Sequence, residues 1–140
     1  MKTLYSTQAR AVGGRTGHVK TNDGLLDVTL ALPKEMGGAG GATNPEQLFA
    51  AGYAACFENA MRHIASTQKI SLTGAAVTAH VSIGMKPEGP GFVLGVSLDA
   101  ETEGLSQSEA EELVAKAHEV CPYSNATRGN IDVGLKVIAK

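Results

Sequence analysis

Asn44-Pro45-Glu46-Gln47-Leu48-Phe49-Ala50-Ala51-Gly52-Tyr53-Ala54-Ala55-Cys56-Phe57 is the stretch whose reading decides the fold. Asn44 is a good N-cap, Pro45 suits the first helical position, and Gln47 at the third can complete a capping box. Beyond Glu46 and Gln47 the residues through Ala55 are apolar on every side, which predicts a long helix enclosed by protein. The helix is expected to run to Thr67 or Gln68, turning amphipathic in its second half, before Lys69 opens a loop. One thiol, Cys56, is set into its wall. It is either filling or a reactive centre, and the helix alone does not decide.

Upstream, the chain reads as strands. Leu4 to Val12 is β-compatible, and Arg15–Lys20 and Leu26–Leu32 flank Asn22-Asp23-Gly24, a hairpin signal. Leu26, Val28, Leu30 and Leu32 alternate with Asp27, Thr29 and Ala31, which predicts one buried face. Gly13-Gly14 predicts a bend that aims Arg15. The loop Gly37-Gly38-Ala39-Gly40-Gly41 lacks the spacing of a P-loop or a dinucleotide fingerprint, so phosphate binding is not expected.

Downstream, Val77, Ala79, Val81, Ile83 and Met85 alternate in one strand, and Phe92, Leu94, Val96, Leu98 and Ala100 in the next. Pro87-Glu88-Gly89-Pro90-Gly91 turns between them, giving a hairpin with one wet face. Ser106 opens a second helix with a capping box to Glu109 and Leu105 as a staple against Ala110; Ala110, Leu113, Val114 and Ala117 form its core stripe. Pro122 ends it, disfavouring helical geometry at Cys121. Ile131, Val133, Leu135 and Val137 give a last strand. The order β-β-β-α-β-β-α-β is not doubly wound; it predicts an α+β fold with largely antiparallel sheets.

At 140 residues, one domain spanning 1–140 is expected. A net charge of -2 without a basic run argues against nucleic acid, and the absence of Trp with 4% aromatics argues against stacking platforms. No apolar run reaches the length of a membrane span, and the N-terminus lacks the apolar centre of a secretory signal, so a cytoplasmic protein is expected.

A lone cysteine in an Ala-rich helix is more often filling than not. Three details favour chemistry. A helical side chain leans toward the N-terminus, so Cys56 points over Gly52, which reads as open space beside the sulfur at a cost of about 1 kcal/mol in helix propensity. Cys121 sits at a helix end that Pro122 breaks, where backbone movement is easiest. The partial negative charge of that helix end disfavours a thiolate at Cys121. If one cysteine attacks and the other resolves, Cys56 is the better attacker. In apolar surroundings its pKa rises unless a cation helps. Among Arg15, Arg62, His63 and Arg128, Arg62 falls on the opposite side of the helix and His63 lies about two turns away; Arg15, which follows two glycines, is favoured and needs a carboxylate to hold it, while Arg128 stays open. Neither Cys-x-x-Cys nor clustered His spacing exists among Cys56, Cys121, His18, His63, His80 and His118, so no metal or cofactor is expected. A Cys121–His118 hydrolase lacks an oxyanion motif.

Gly13-Gly14-Arg15, Gly37 to Phe57, and Val120-Cys121-Pro122-Tyr123-Ser124-Asn125-Ala126-Thr127-Arg128-Gly129-Asn130 closely resemble the organic hydroperoxide resistance (Ohr) proteins of the Ohr/OsmC family, and with the strand order the likeness covers essentially the whole chain. Thr16 and Glu58-Asn59 depart from that pattern, at positions to which the resemblance assigns no role. The resemblance implies an intertwined homodimer and a thiol peroxidase acting on organic and lipid hydroperoxides. It makes Cys56 the peroxidatic and Cys121 the resolving cysteine, joined by a disulfide during turnover, with Arg15 activating Cys56 and Glu46 holding Arg15. The implied reductant is a dithiol or lipoylated protein. Phe49, Tyr53 and Phe57 are candidates for the substrate pocket.

Glu46 and Cys56 are separated by about 15 Å along a regular helix and by roughly 80° around it, so they cannot touch within one straight helix. Either Arg15 bridges them or two chains build each site; a subunit-crossing site is expected. The rival is a protein that binds or senses an apolar ligand, its cysteines mere filling.

Overall fold

The computed structural model describes residues 1–140, which form two compact units, Met1–Leu48 and Phe49–Lys140. In the first, β1 (Ala9–Val12), β2 (His18–Thr21) and β3 (Asp27–Thr29) make an antiparallel sheet in that order. Val12 pairs with His18, and Lys20 with Asp27. The β2–β3 turn forms where Asp-Gly stands: Gly24 takes φ 75°, and the Asp23 carboxylate accepts from the Thr21 hydroxyl and the Leu25 N–H.

The strands are shorter than the apolar pattern predicts. Gly13 and Gly14 take positive φ and wind Gly14–Thr16 into a single 3-10 turn, so β2 starts only at His18. At Gly17 a Cβ would meet the Val12 carbonyl oxygen at 1.8 Å, so no other residue fits this close crossing. The third strand loses Leu26 to the turn, where its carbonyl accepts from the Thr21 N–H. Leu30 is buried and Val28 and Leu32 half-buried, but Leu26 is exposed.

In the second unit, β4 (Gly74–Met85) and β5 (Phe92–Glu103) form the expected hairpin, paired from Gly74–Glu103 to Met85–Phe92. Val77, Ala79, Val81 and Ile83 are half-buried while Thr78, His80 and Ser82 are exposed; Val96, Leu98 and Ala100 are buried. β6 (Gly134–Ala139) adds in parallel to β5, making the sheet mixed. A parallel neighbour needs a crossover. It consists of α2 (Gln107–Val120) and a short helix α3 (Pro122–Thr127).

The expected capping box of α2 is present: Glu109 N–H donates to Ser106 Oγ, and Ser106 N–H to the Glu109 carboxylate. Ala110, Leu113, Val114 and Ala117 are buried as a stripe, with Leu105 beside them. Helix α3 is additional to the elements that the sequence pattern predicts. Pro122 ends α2 but equally suits the first position of a new helix.

Helix α1 (Pro45–Thr67) has the predicted bounds and starts on the Gln47 N–H donating to Asn44 Oδ1. The Gln47 side chain accepts from the Thr43 hydroxyl instead of closing the box. Tyr53, Phe57, Met61 and Ile64 enter the core with Leu98, Leu113 and Val114, whereas Ala51 and Ala55 are exposed. The expectation of a helix enclosed on every side is therefore not met within one chain. Alanine carries too little apolar surface to mark which face turns inward. Ser106→Ala, which deletes the cap of α2, is expected to lower the unfolding free energy by about 1 kcal/mol with unchanged denaturant slope, read by urea denaturation.

Candidate active site

In the first unit, the Gly14–Thr16 turn presents Arg15 to Glu46 in the first turn of α1. Arg15 Nη1 donates to Glu46 Oε2 at 2.7 Å and Nη2 to Oε1 at 2.5 Å, a bidentate fork. Its hydrogen bonds hold the Glu46 carboxyl below the usual carboxylate range and raise the Arg15 pKa. The Arg15 side chain is still 34% exposed, and only two of its N–H groups are engaged. Such a guanidinium can take a second anion.

The second unit brings the two cysteines together. Cys121 Sγ stands 3.7 Å from Cys56 Sγ, both as free thiols. Cys56 is half-buried and Cys121 fully buried. Cys121 is extended, φ −64° and ψ 123°, as Pro122 demands, and so stands between the end of α2 and the start of α3. Burial pushes the Cys56 thiol up; the backbone N–H of Tyr123 pulls the other way, and neighbouring Cys121 adds to the rise. Left to this unit, Cys56 favours the neutral thiol.

Gly52 does not leave open space. A Cβ there would meet Tyr123 Oη at 2.6 Å, so the missing side chain seats the Tyr123 ring. That ring lies 5.6 Å from Tyr53 and 6.1 Å from Phe49, centre to centre. Sequence reasoning missed Tyr123; the short helix implied by Pro122, which folds the chain back over α1, is the signal that could have found it. Of the three aromatic pocket candidates, Tyr53 and Phe57 are core side chains with no exposed surface, and only Phe49 is partly exposed.

Two of the other candidate cations are engaged elsewhere. Arg62 pairs with Glu58, and Arg128 donates to Asn125 and to the His118 carbonyl. His118 turns to Ser124, with Nδ1 2.8 Å from Ser124 Oγ. Burial, and then the charge of Arg128, lower its pKa. No three His, Cys, Asp or Glu side chains converge to hold a metal ion. No helix is long and apolar enough to cross a membrane.

Residues 38–136 match the family model described as OsmC-like protein. An organic hydroperoxide resistance protein of Xanthomonas axonopodis pv. citri is 53% identical over 136 residues, covering 96% of this chain and 94% of the relative. The crystal structure of an organic hydroperoxide resistance protein from Legionella pneumophila is 65% identical with a TM-score of 0.94, over 98% of this chain and 99% of that one. The structure of OhrB from Bacillus subtilis is 44% identical with a TM-score of 0.87, over 96% and 99%. The chain belongs to the OsmC-like family. Within that family it stands among the organic hydroperoxide resistance proteins, and its α+β architecture is theirs.

Gly52→Ala tests the seat of Tyr123. In a Tyr123→Ala background the substitution is expected to stabilise the protein by about 1 kcal/mol through helix propensity. With Tyr123 present, the clash is expected to cancel most of that gain, as read by a double-mutant cycle of urea denaturation.

Proposed function

We propose that this chain is a cysteine-based peroxidase that reduces organic hydroperoxides to alcohols. The observation that carries the reading is the meeting of the two thiols at 3.7 Å, one within reach of solvent and one sealed in the core. Two cysteines serving as filling have no need to meet, which speaks against the apolar-ligand carrier.

The Cys56 thiolate attacks one peroxide oxygen, the O–O bond breaks, and the alkoxide takes a proton and leaves as alcohol. Cys56 becomes a sulfenic acid. Cys121 then displaces its oxygen as water, forming the Cys56–Cys121 disulfide. A dithiol reductant, such as a lipoylated protein, reopens it by thiol exchange and carries away two electrons as its own disulfide.

Burial raises the Cys56 pKa, so thiolate formation calls for a cation. Arg15 is the residue assigned to it, with Glu46 as its anchor and unused N–H groups to polarise the peroxide. Each site is built across the two chains of a homodimer in this reading, and an isolated monomer with full activity would count against that. The Phe49 and Tyr123 rings give an alkyl tail an apolar surface, worth about 0.8 kcal/mol per methylene buried.

Consumption of cumene hydroperoxide with dihydrolipoamide is expected to vanish in Cys56→Ser; surviving turnover rejects the mechanism. Arg15→Ala is expected to cut kcat/KM roughly 100-fold. Loss of the cation also moves the alkylation of Cys56 by iodoacetamide to higher pH. Glu46, with its pKa lowered in the folded chain, stays ionised through neutral and mildly acid pH. Its contribution to stability is present above the ordinary carboxylate pKa and is lost only as pH falls through the lowered value. Glu46→Gln is therefore expected to narrow the stability gap to wild type only at strongly acid pH, measured by urea denaturation across pH.

A further inference from the structure

Beneath the cysteines lies a set of polar groups that the steps above do not use. Ser124 has no exposed surface and Thr127 almost none, yet both come from α3, the helix that Cys121 opens. Ser124 Oγ lies 2.9 Å from Tyr53 Oη and 2.8 Å from His118 Nδ1. Thr127 Oγ1 lies 3.2 Å from Tyr53 Oη and donates to the Ser124 carbonyl. One buried chain of hydrogen bonds thus ties α1, α2 and α3 together beside the apolar core.

Burying hydroxyls in an apolar core is costly unless each is satisfied, and a satisfied network fixes one arrangement. What it fixes is the segment carrying Cys121. That residue's N–H donates to the Ala117 carbonyl and its carbonyl accepts from the Asn125 N–H, so its backbone is held on both sides. The sulfurs must close from 3.7 Å to about 2.05 Å to bond. With the backbone held, that gap is closed by a turn of the side chains rather than by a search. Speed matters, because a sulfenic acid at half-buried Cys56 is open to a second peroxide, which carries it irreversibly to sulfinic acid.

We propose that Ser124, together with Tyr53, Thr127 and His118, forms a positioning network for disulfide formation: it holds α3 so that Cys121 reaches the Cys56 sulfenic acid before a second peroxide does. The inference rests on the peroxidase reading above. None of the four residues is catalytic; they act through the placement of Cys121.

The test follows the two chemical steps separately. Reduced protein is mixed with one equivalent of cumene hydroperoxide, sulfenic acid is trapped with dimedone, and disulfide is counted by alkylation and mass. In Ser124→Ala and Tyr53→Phe, sulfenic acid is expected to form within about twofold of the wild-type rate, while disulfide formation slows about tenfold. Under excess peroxide both variants are expected to accumulate more Cys56 sulfinic acid than wild type. Tyr53→Phe keeps the core ring and loses only the hydroxyl, so it decides the matter if Ser124→Ala folds poorly. Disulfide formation at the wild-type rate in Tyr53→Phe overturns the network's role and leaves the peroxidase reading standing. Parallel slowing of both steps with a lowered melting temperature overturns it too, since the network is then structural only. A wild type whose Cys56 stays reduced under peroxide sinks the peroxidase reading itself.

Discussion

Pro122 disfavours helical backbone at the residue before it, and much of the second unit depends on that steric preference. Without the break, α2 would carry Cys121 onward along its own axis. Because the chain must extend at Cys121 and then restart as α3, the sulfur is left inside the corner between two helices. The same corner places Tyr123 over Gly52 and turns Ser124 and Thr127 inward to Tyr53. One imino acid thus decides both where the second thiol stands and which groups surround the first.

The thiol and the ion pair stand in opposite electrostatic settings. Around Cys56, burial works against charge. At Arg15 and Glu46, charge is built and held by a bidentate pair, which adds geometric specificity to the attraction. In the proposed reading the half-buried thiol calls for a cation, and the guanidinium has donors left over for an anion. The thiol peroxidase reading joins the two.

Much of this was legible in the sequence because the signals were local. The limits of α1, the Ser106–Glu109 box and the alternation along β4 and β5 follow from caps and periodicity within a few residues. The pairing of Arg15 with Glu46 came from family resemblance, not from spacing, since nothing in a run of residues brings positions so distant together. Where the reading failed, the deciding partner was distant as well. Gly52 looks like vacancy along its own helix and is filled by Tyr123 from α3. Tyr53 and Phe57 are fully buried, the first in the hydroxyl network and the second in the core, and spacing along the helix marks neither partner. The early strands are shorter than their apolar alternation suggests because turn chemistry at Gly13-Gly14 and Thr21 overrides it.

The seating of Tyr123 has an optical consequence. The chain has no Trp and three tyrosines, of which Tyr5 lies exposed near the N-terminus. The other two sit with their rings 5.6 Å apart, one on α1 three residues before Cys56 and one on α3 two residues after Cys121. Two of the three tyrosine chromophores therefore absorb beside the sulfurs, so a change at those sulfurs can be followed in the near ultraviolet without an introduced label.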